Sequence, residues 1–311
     1  MAVRYVDRWL PAENRALFRE LGEDAAFPQP DIVSNLDADR LGAIDDQSQD
    51  FVIASHVLEH VANPVALLGD VHRVLRPGGT LLVLLPDRHR TFDRDRRPTP
   101  LAHLVEEYER GVEEVDDDHV ADFLVGTGVP IPDDPGERSA VFDLHRRRSI
   151  HVHCWDEHEF FEVLVHSVAV LGHRWELVDA VLSDDEGKDG FEFGYVLRRA
   201  PALHDPDVLA ERLRLSWRRW YDHRRWWHSH LAALRSLRTA AGDAAGDGSA
   251  AAATTEPVTN GGPWREHGES PISESVRRFL ASLASRAADL GSPRLSRLRA
   301  SGRRPPGRTG D

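Results

Sequence analysis

Cysteine and lysine are almost missing from this chain: among 311 residues there is one of each, Cys154 and Lys188. A single thiol excludes an internal disulfide and cannot by itself build a thiolate zinc cage, so Cys154 reads as a small buried hydrophobe. Long apolar runs are absent as well. No stretch approaches the roughly eighteen apolar residues of a membrane helix, and the opening MAVRYVDRWL lacks the basic segment and apolar core of a signal peptide. The expectation is a soluble, cytoplasmic protein. Basic charge is scarce in the front of the chain, where residues 1–200 carry 21 basic against 40 acidic side chains, whereas residues 201–311 carry 18 against 12. With a net charge of −13, the acidic body repels phosphate backbones, which argues against nucleic acid as a ligand.

What is present is an α/β pattern. AVRYV forms a short strand ending at Asp7, and a polar, helix-compatible stretch follows to Leu21. PDIVSNLD holds a second short strand, and DFVIAS is an apolar run suited to a strand buried on both faces. From Asn63 to Val74 the apolar residues recur at helical spacing until Pro77-Gly78-Gly79, and TLLVLLP is another buried strand, giving a parallel β-helix-β unit. Residues 87–150 are polar and proline-bearing with one helical stretch at LAHLVEEYERG, and an insertion of that length usually caps a site. Beyond it, Asp156 to Val170 reads as a helix, and WELVDAVLS and FEFGYVLRR as an antiparallel hairpin around SDDEGKDG. Residues 205–240 are helical with Trp217, Trp220, Trp226 and Trp227 among arginines. AAGDAAGDGSAAAATTEPVTNGG is a low-complexity linker expected to be disordered, ahead of a basic tail. The domain expectation is therefore 1–200 with a cap at 87–150, a helical extension at 201–240, and a linker and tail at 241–311.

The segment DFVIASHVLEHVANPVALLGDVHRVLRPGGTLLVLLPD, with an acid after each preceding strand, resembles the class I S-adenosylmethionine-dependent methyltransferases of the type 11 group. The resemblance runs from residue 3 to about 198. It implies a doubly wound, Rossmann-like sheet with a C-terminal antiparallel hairpin, S-adenosylmethionine as cofactor, and methyl transfer to a small-molecule or glycan-like acceptor. By the resemblance, Asp7 accepts hydrogen bonds from the ribose diol, Asn35, Leu36 and Asp37 meet the adenine, and Ser55 and His56 line the methionine side. The family's first strand and its Gly-rich turn have no counterpart here, since nothing precedes AVRYVD, and the expectation is a start placed too far downstream. A truncated, inactive scaffold that binds a partner through its C-terminal helix is the alternative. A nicotinamide-dependent oxidoreductase is disfavoured because it would want the same Gly-rich turn and a Tyr-Lys or similar pair, and Lys188 sits in a polar turn.

Two features ask for chemistry beyond the cofactor. In SHVLEHV, His56, Glu59 and His60 stand at i, i+3 and i+4, a spacing that could present two imidazoles and a carboxylate to a cation. The plainer reading is adopted, with Glu59 and His60 bracing a helix start, His56 packing over the cofactor, and no metal ligand assigned. For the acceptor, the candidate bases are Asp87, Asp93, His103, His119, His145 and the pair His151 and His153, whose alternation on an extended segment would aim both rings one way. His103 and His153 are the chosen bases. The Trp and Arg residues of 216–230 suggest packing on the main domain, or contact with a membrane surface or protein partner.

Overall fold

TLLVLLP has no charged side chain, so it can lie with both faces covered, and it forms the middle of the sheet. The computed structural model describes residues 2–22, 26–183, 190–201 and 205–223. A first pair of parallel strands, β1 (Val6–Asp7) and β2 (Ile32–Val33), flanks helix α1 (Pro11–Leu17). A four-stranded sheet follows with β3 (Gln49–Ser55), β4 (Leu75–Pro86), β5 (Trp175–Val181) and β6 (Glu192–Arg199) in the order β3-β4-β6-β5. β3 and β4 run parallel, while β6 is antiparallel to both β4 and β5. This mixed α/β sheet is the expected Rossmann-like architecture with its C-terminal hairpin, and β6 enters between β4 and β5.

The β3-β4 crossover is helix α2 (Pro64–Val74), which starts where Asn63 caps the Ala66 N–H at 2.9 Å and Pro64 occupies the first turn. Its apolar stripe of Val65, Leu68, Val71 and Val74 is buried against the sheet. The helix ends as expected before Pro77-Gly78-Gly79, but the strand resumes at once. Arg76 to Gly79 bulge out of the ladder between the pairs Gln49–Leu75 and Phe51–Thr80. At Gly79 a Cβ would stand 2.9 Å from the Arg76 carbonyl oxygen, so the bulge needs a residue without one.

β3 departs from expectation. Only Ala54 within it is buried, because its edge away from β4 pairs with no strand among the described residues. β1 and β2 are also shorter than AVRYV and PDIVSNLD suggested. The segment 87–150 holds three helices rather than one: α3 (Leu101–Arg110), α4 (Asp117–Gly126) and α5 (Pro135–Arg147). Val120, Phe123, Leu124, Phe142, Ile150 and Val152 give α4 and α5 a small core of their own, whereas α3 packs Leu104 into the main core. Helix α6 (Glu157–Ala169) begins with a capping box of Asp156 and Glu159. The last helix among the described residues, α7 (residues 206–223), lays Trp217 on the domain, stacked 4.9 Å from Phe161. Arg218 and Arg219 on it are exposed. The rest of the Trp/Arg segment (Trp226, Trp227), the low-complexity linker, the basic tail and the turn 184–189 lie outside the described residues. No helix among the described residues is long and apolar enough to cross a membrane.

Candidate functional site

Ligands in sheets of this kind sit beyond the carboxyl ends of parallel strands. At the end of β1, Asp7 takes the Trp9 N–H on Oδ1 at 3.0 Å and the Asn14 amide on Oδ2 at 3.4 Å. Each oxygen retains a lone pair, and the buried indole N–H of Trp9, two residues on, has no hydrogen-bond partner. After β2, Asn35 turns the chain by accepting the Asp37 N–H, and Leu36 packs half-buried on the main core. Asp37 is almost fully buried, and its Oδ1 accepts the Ala62 N–H at 2.7 Å, which ties this turn to the segment leaving β3. Burial raises the Asp37 pKa against that bond. A cleft of about 490 Å³ opens beside the same turn, lined by Ala38 on one side and by Arg110, Val112, Glu113, Glu114 and Asp116 of the cap on the other. Its size is in the range of small-molecule sites, which run from about 300 to 1,000 Å³.

At the end of β3, Ser55 is half-buried and His56 adopts φ +52°, a left-handed conformation that costs energy for a residue with a Cβ. That backbone aims the imidazole between two carboxylates, with Nε2 2.9 Å from Glu192 and Nδ1 3.4 Å from Glu59. Burial alone would lower its pKa, but the hydrogen bonds to Glu192 and Glu59 outweigh burial and lift it to about 9. With a carboxylate at each ring nitrogen, His56 can donate from both. Glu59 is fully buried, and although burial opposes it, His56 holds its carboxyl below the usual range.

His60 sends Nδ1–H to the Ile150 carbonyl at 2.9 Å, and its ring meets His151 edge to face at 4.9 Å. His151 in turn gives Nδ1–H to Asp93 at 2.5 Å. Asp93 is fully buried and is also held by Arg96, whose guanidinium reaches the carbonyls of His151 and Val152 and the carboxylate of Asp122. The Asp93–His151 pair thus leaves one imidazole nitrogen, Nε2, on the side of His60.

His151 and His153 were expected to point the same way. Instead the chain bends at Val152 and His153, whose N–H groups both donate to the Glu59 carbonyl at 2.7 and 3.1 Å. The bend breaks the two-residue period of an extended strand, so the rings enter different clusters. His153 joins His103, His119 and Glu107. His103 and Glu107 lie four apart on one face of α3, and His119 opens α4. His103 and His153, the bases nominated from sequence, are therefore neighbours. His153 is fully buried, however, with burial holding its pKa well below the ordinary value, while His103 is partly exposed with Nε2 turned inward. Glu107 and Glu192 escaped the sequence reading. Glu107 had a signal in its i, i+4 spacing from His103, whereas Glu192 meets His56 only through the sheet. His145, on α5, faces Phe123 in the cap core, and Asp87 is tied to Ser183 and the His89 N–H.

Among solved structures, this chain is similar to a SAM-dependent methyltransferase from Methanosarcina mazei, at 17% identity over 63% of this chain and 80% of that one, with a TM-score of 0.31. It is also similar to an arsenic(III) S-adenosylmethionine methyltransferase from Chlamydomonas reinhardtii, at 13% identity over 64% and 55% with a TM-score of 0.28. A chain from a complex between the Haloferax volcanii Trm112 methyltransferase activator and a methyltransferase matches at 13% identity over 55% of this chain, with a TM-score of 0.27, and only 61% of its length is spanned. No curated protein matches. Residues 9–83, which carry α1, β2, β3, α2 and most of β4, match the family model described as a methyltransferase domain. By that match residues 9–83 are similar to a methyltransferase domain, and the remainder of the chain lies outside it.

Proposed function

We propose that this protein transfers a methyl group from S-adenosylmethionine to a hydroxyl-bearing small-molecule or glycan-like acceptor held between the strand ends and the 87–150 segment. The cofactor supplies an electrophilic methyl carbon on a sulfonium sulfur. Asp7 offers free lone pairs to a ribose diol, Leu36 an apolar surface to a purine ring, and Asn35 and Asp37 hold that turn in shape. Ser55 and the strained His56 lie at the exit of β3, where the methionine end would rest. The observation that carries this reading is the Asp37–Ala62 bond, because it closes the β2 turn onto the β3 exit and makes their strand ends one rim.

A hydroxyl acceptor must lose a proton as its oxygen attacks, and in-line transfer needs that oxygen held in place. His151 suits the base role better than His103 or His153. Its Nδ1–H is fixed on Asp93, which sets the tautomer and leaves Nε2 as the proton acceptor. His56, charged and flanked by Glu59 and Glu192, serves to position rather than to accept a proton. Calorimetric titration of S-adenosylhomocysteine into the full chain tests the cofactor site: micromolar binding is expected, and Asp7→Ala should weaken it with the circular dichroism unchanged. No heat of binding at about 1 mM ligand, or equal affinity in Asp7→Ala, would overturn the reading or its placement of the ribose respectively.

A further inference from the structure

The side chains of His103, Glu107, His119 and His153 bring one donor atom each to within 4.8 Å of one another. Four of their separations are close to those of ligands about a common centre. His119 Nε2 lies 2.9 Å from Glu107 Oε1 and 3.1 Å from His103 Nε2, His103 Nε2 lies 3.2 Å from Glu107 Oε1, and His153 Nε2 lies 3.5 Å from Glu107 Oε2. A tetrahedral zinc ion with bonds of about 2.0–2.1 Å to nitrogen and oxygen spaces its ligands about 3.3 Å apart. Glu107 and His119 are buried, and His153 is fully so.

The hydrogen-bond inventory of the cluster is out of balance in the direction a cation corrects. Asp116 accepts from His119 Nδ1 at 2.7 Å, which directs Nε2 at Glu107 and His103; in the metal-free chain Nε2 can donate to Glu107, and a cation that displaces this proton would meet the Nε2 lone pair. Glu107 Oε2 is buried without a hydrogen-bond partner. His153 is the loosest member, since its Nε2 also lies 3.4 Å from the Ala62 carbonyl. The carboxylate behind His119 is the outer-sphere arrangement that fixes the tautomer and ring orientation of metal-bound histidines. Asp116 is already held in place as the N-cap of α4.

We propose that His103, Glu107, His119 and His153 bind one divalent zinc-like cation. Three imidazoles and a carboxylate suit zinc, and four protein ligands fill its tetrahedron with no position open for substrate. The ion is therefore structural. It pins α3 and α4 to the 150–153 segment and so fixes the cap over the strand ends. The Glu107 carbonyl, which accepts from Asn63 at 3.2 Å, extends the link to the start of α2.

The test is zinc content and zinc affinity of the full chain, by elemental analysis after purification and by titration of chelator-treated protein. One tightly held zinc per chain is expected, with thermal unfolding shifting upward reversibly when zinc is restored. His119→Ala and Glu107→Gln should each weaken binding at least about 100-fold, and Asp116→Asn, which keeps the helix cap, about 10-fold. Cobalt substituted for zinc should give the absorption of a tetrahedral nitrogen and oxygen site. Three results would overturn the proposal: no zinc uptake by folded, chelator-treated protein, retention of zinc by His119→Ala with unchanged affinity, or an octahedral cobalt spectrum. S-adenosylhomocysteine binding, followed in the same samples, reports separately on the methyltransferase reading.

Discussion

Among the described residues two histidine–carboxylate clusters are built from the same kinds of side chain, and they solve the problem of burying charge differently. At the strand ends, each imidazole is satisfied by the protein: His56 by Glu59 and Glu192, His60 by a carbonyl, His151 by Asp93. In the cap, three imidazoles crowd one carboxylate, and only His119 has an outer partner, Asp116. The first leaves the His151 Nε2 for proton transfer, although Glu59, His60 and His151 also bring donor atoms within 4.8 Å of one another; the second gathers four such residues, three of them buried. One short segment serves both, because His151 turns to the first cluster and His153 to the second across a bend hung on the Glu59 carbonyl.

Arg96 is where the comparison breaks most easily. Its buried guanidinium holds Asp93 and the carbonyls of His151 and Val152, so Arg96→Met would strand a buried carboxylate and release the shared segment. Removing one partner of a buried ion pair costs about 3–5 kcal/mol, and denaturant unfolding should show a loss of that size together with weaker zinc uptake. Loss of only a few tenths of a kcal/mol would mean that the segment is held elsewhere.

A second substitution separates the clusters by chemistry. His151→Gln keeps a donor near Asp93 but has no nitrogen to take a proton, so the transfer rate should fall about 100-fold. S-adenosylhomocysteine affinity and zinc content should not move. A change in zinc content with the rate intact would reverse the roles assigned to the two clusters.

Much of this was readable before the fold. The 3.6-residue stripe of α2, its Asn63-Pro64 start and the Asp156–Glu159 capping box are local signals, and the structure follows them. Two cap helices were missed although their starts were present in the sequence. Asp116 caps α4, and Asp134-Pro135 is a cap followed by a first-turn proline. The pairings of His56 with Glu192 and of Glu107 with His153 join residues far apart in the chain, so no spacing announces them. The bend at His153 is likewise a tertiary effect, imposed by a carbonyl from the β3 exit.

A third, smaller effect is confined to the strand-end cluster and follows pH. The His56 pKa rises from 6.5 to about 9 on folding, so its contribution to stability is complete below the unfolded value and is lost as pH climbs through the folded one. After allowance for its partial exposure, this amounts to on the order of 2 kcal/mol. Urea unfolding at about pH 5 and at about pH 10 should differ by that amount, and Glu192→Gln should flatten the difference. A flat profile in the parent would show that His56 is neutral and that Glu59 lacks its counter-charge.

The smallest expected effect tests whether the cap cluster is coupled to the cofactor domain at all. Asn63 caps α2 through its Oδ1 and donates from Nδ2 to the Glu107 carbonyl. Asn63→Ala removes both, and the lost cap alone costs about 1 kcal/mol. Asn63→Asp keeps the capping oxygen but loses the amide donor to Glu107. If the link matters, both variants weaken zinc binding while only Asn63→Ala loses the helix cap. If Asn63→Asp binds zinc as the parent does, the cap cluster stands on α3, α4 and His153 alone, and α2 merely borders it.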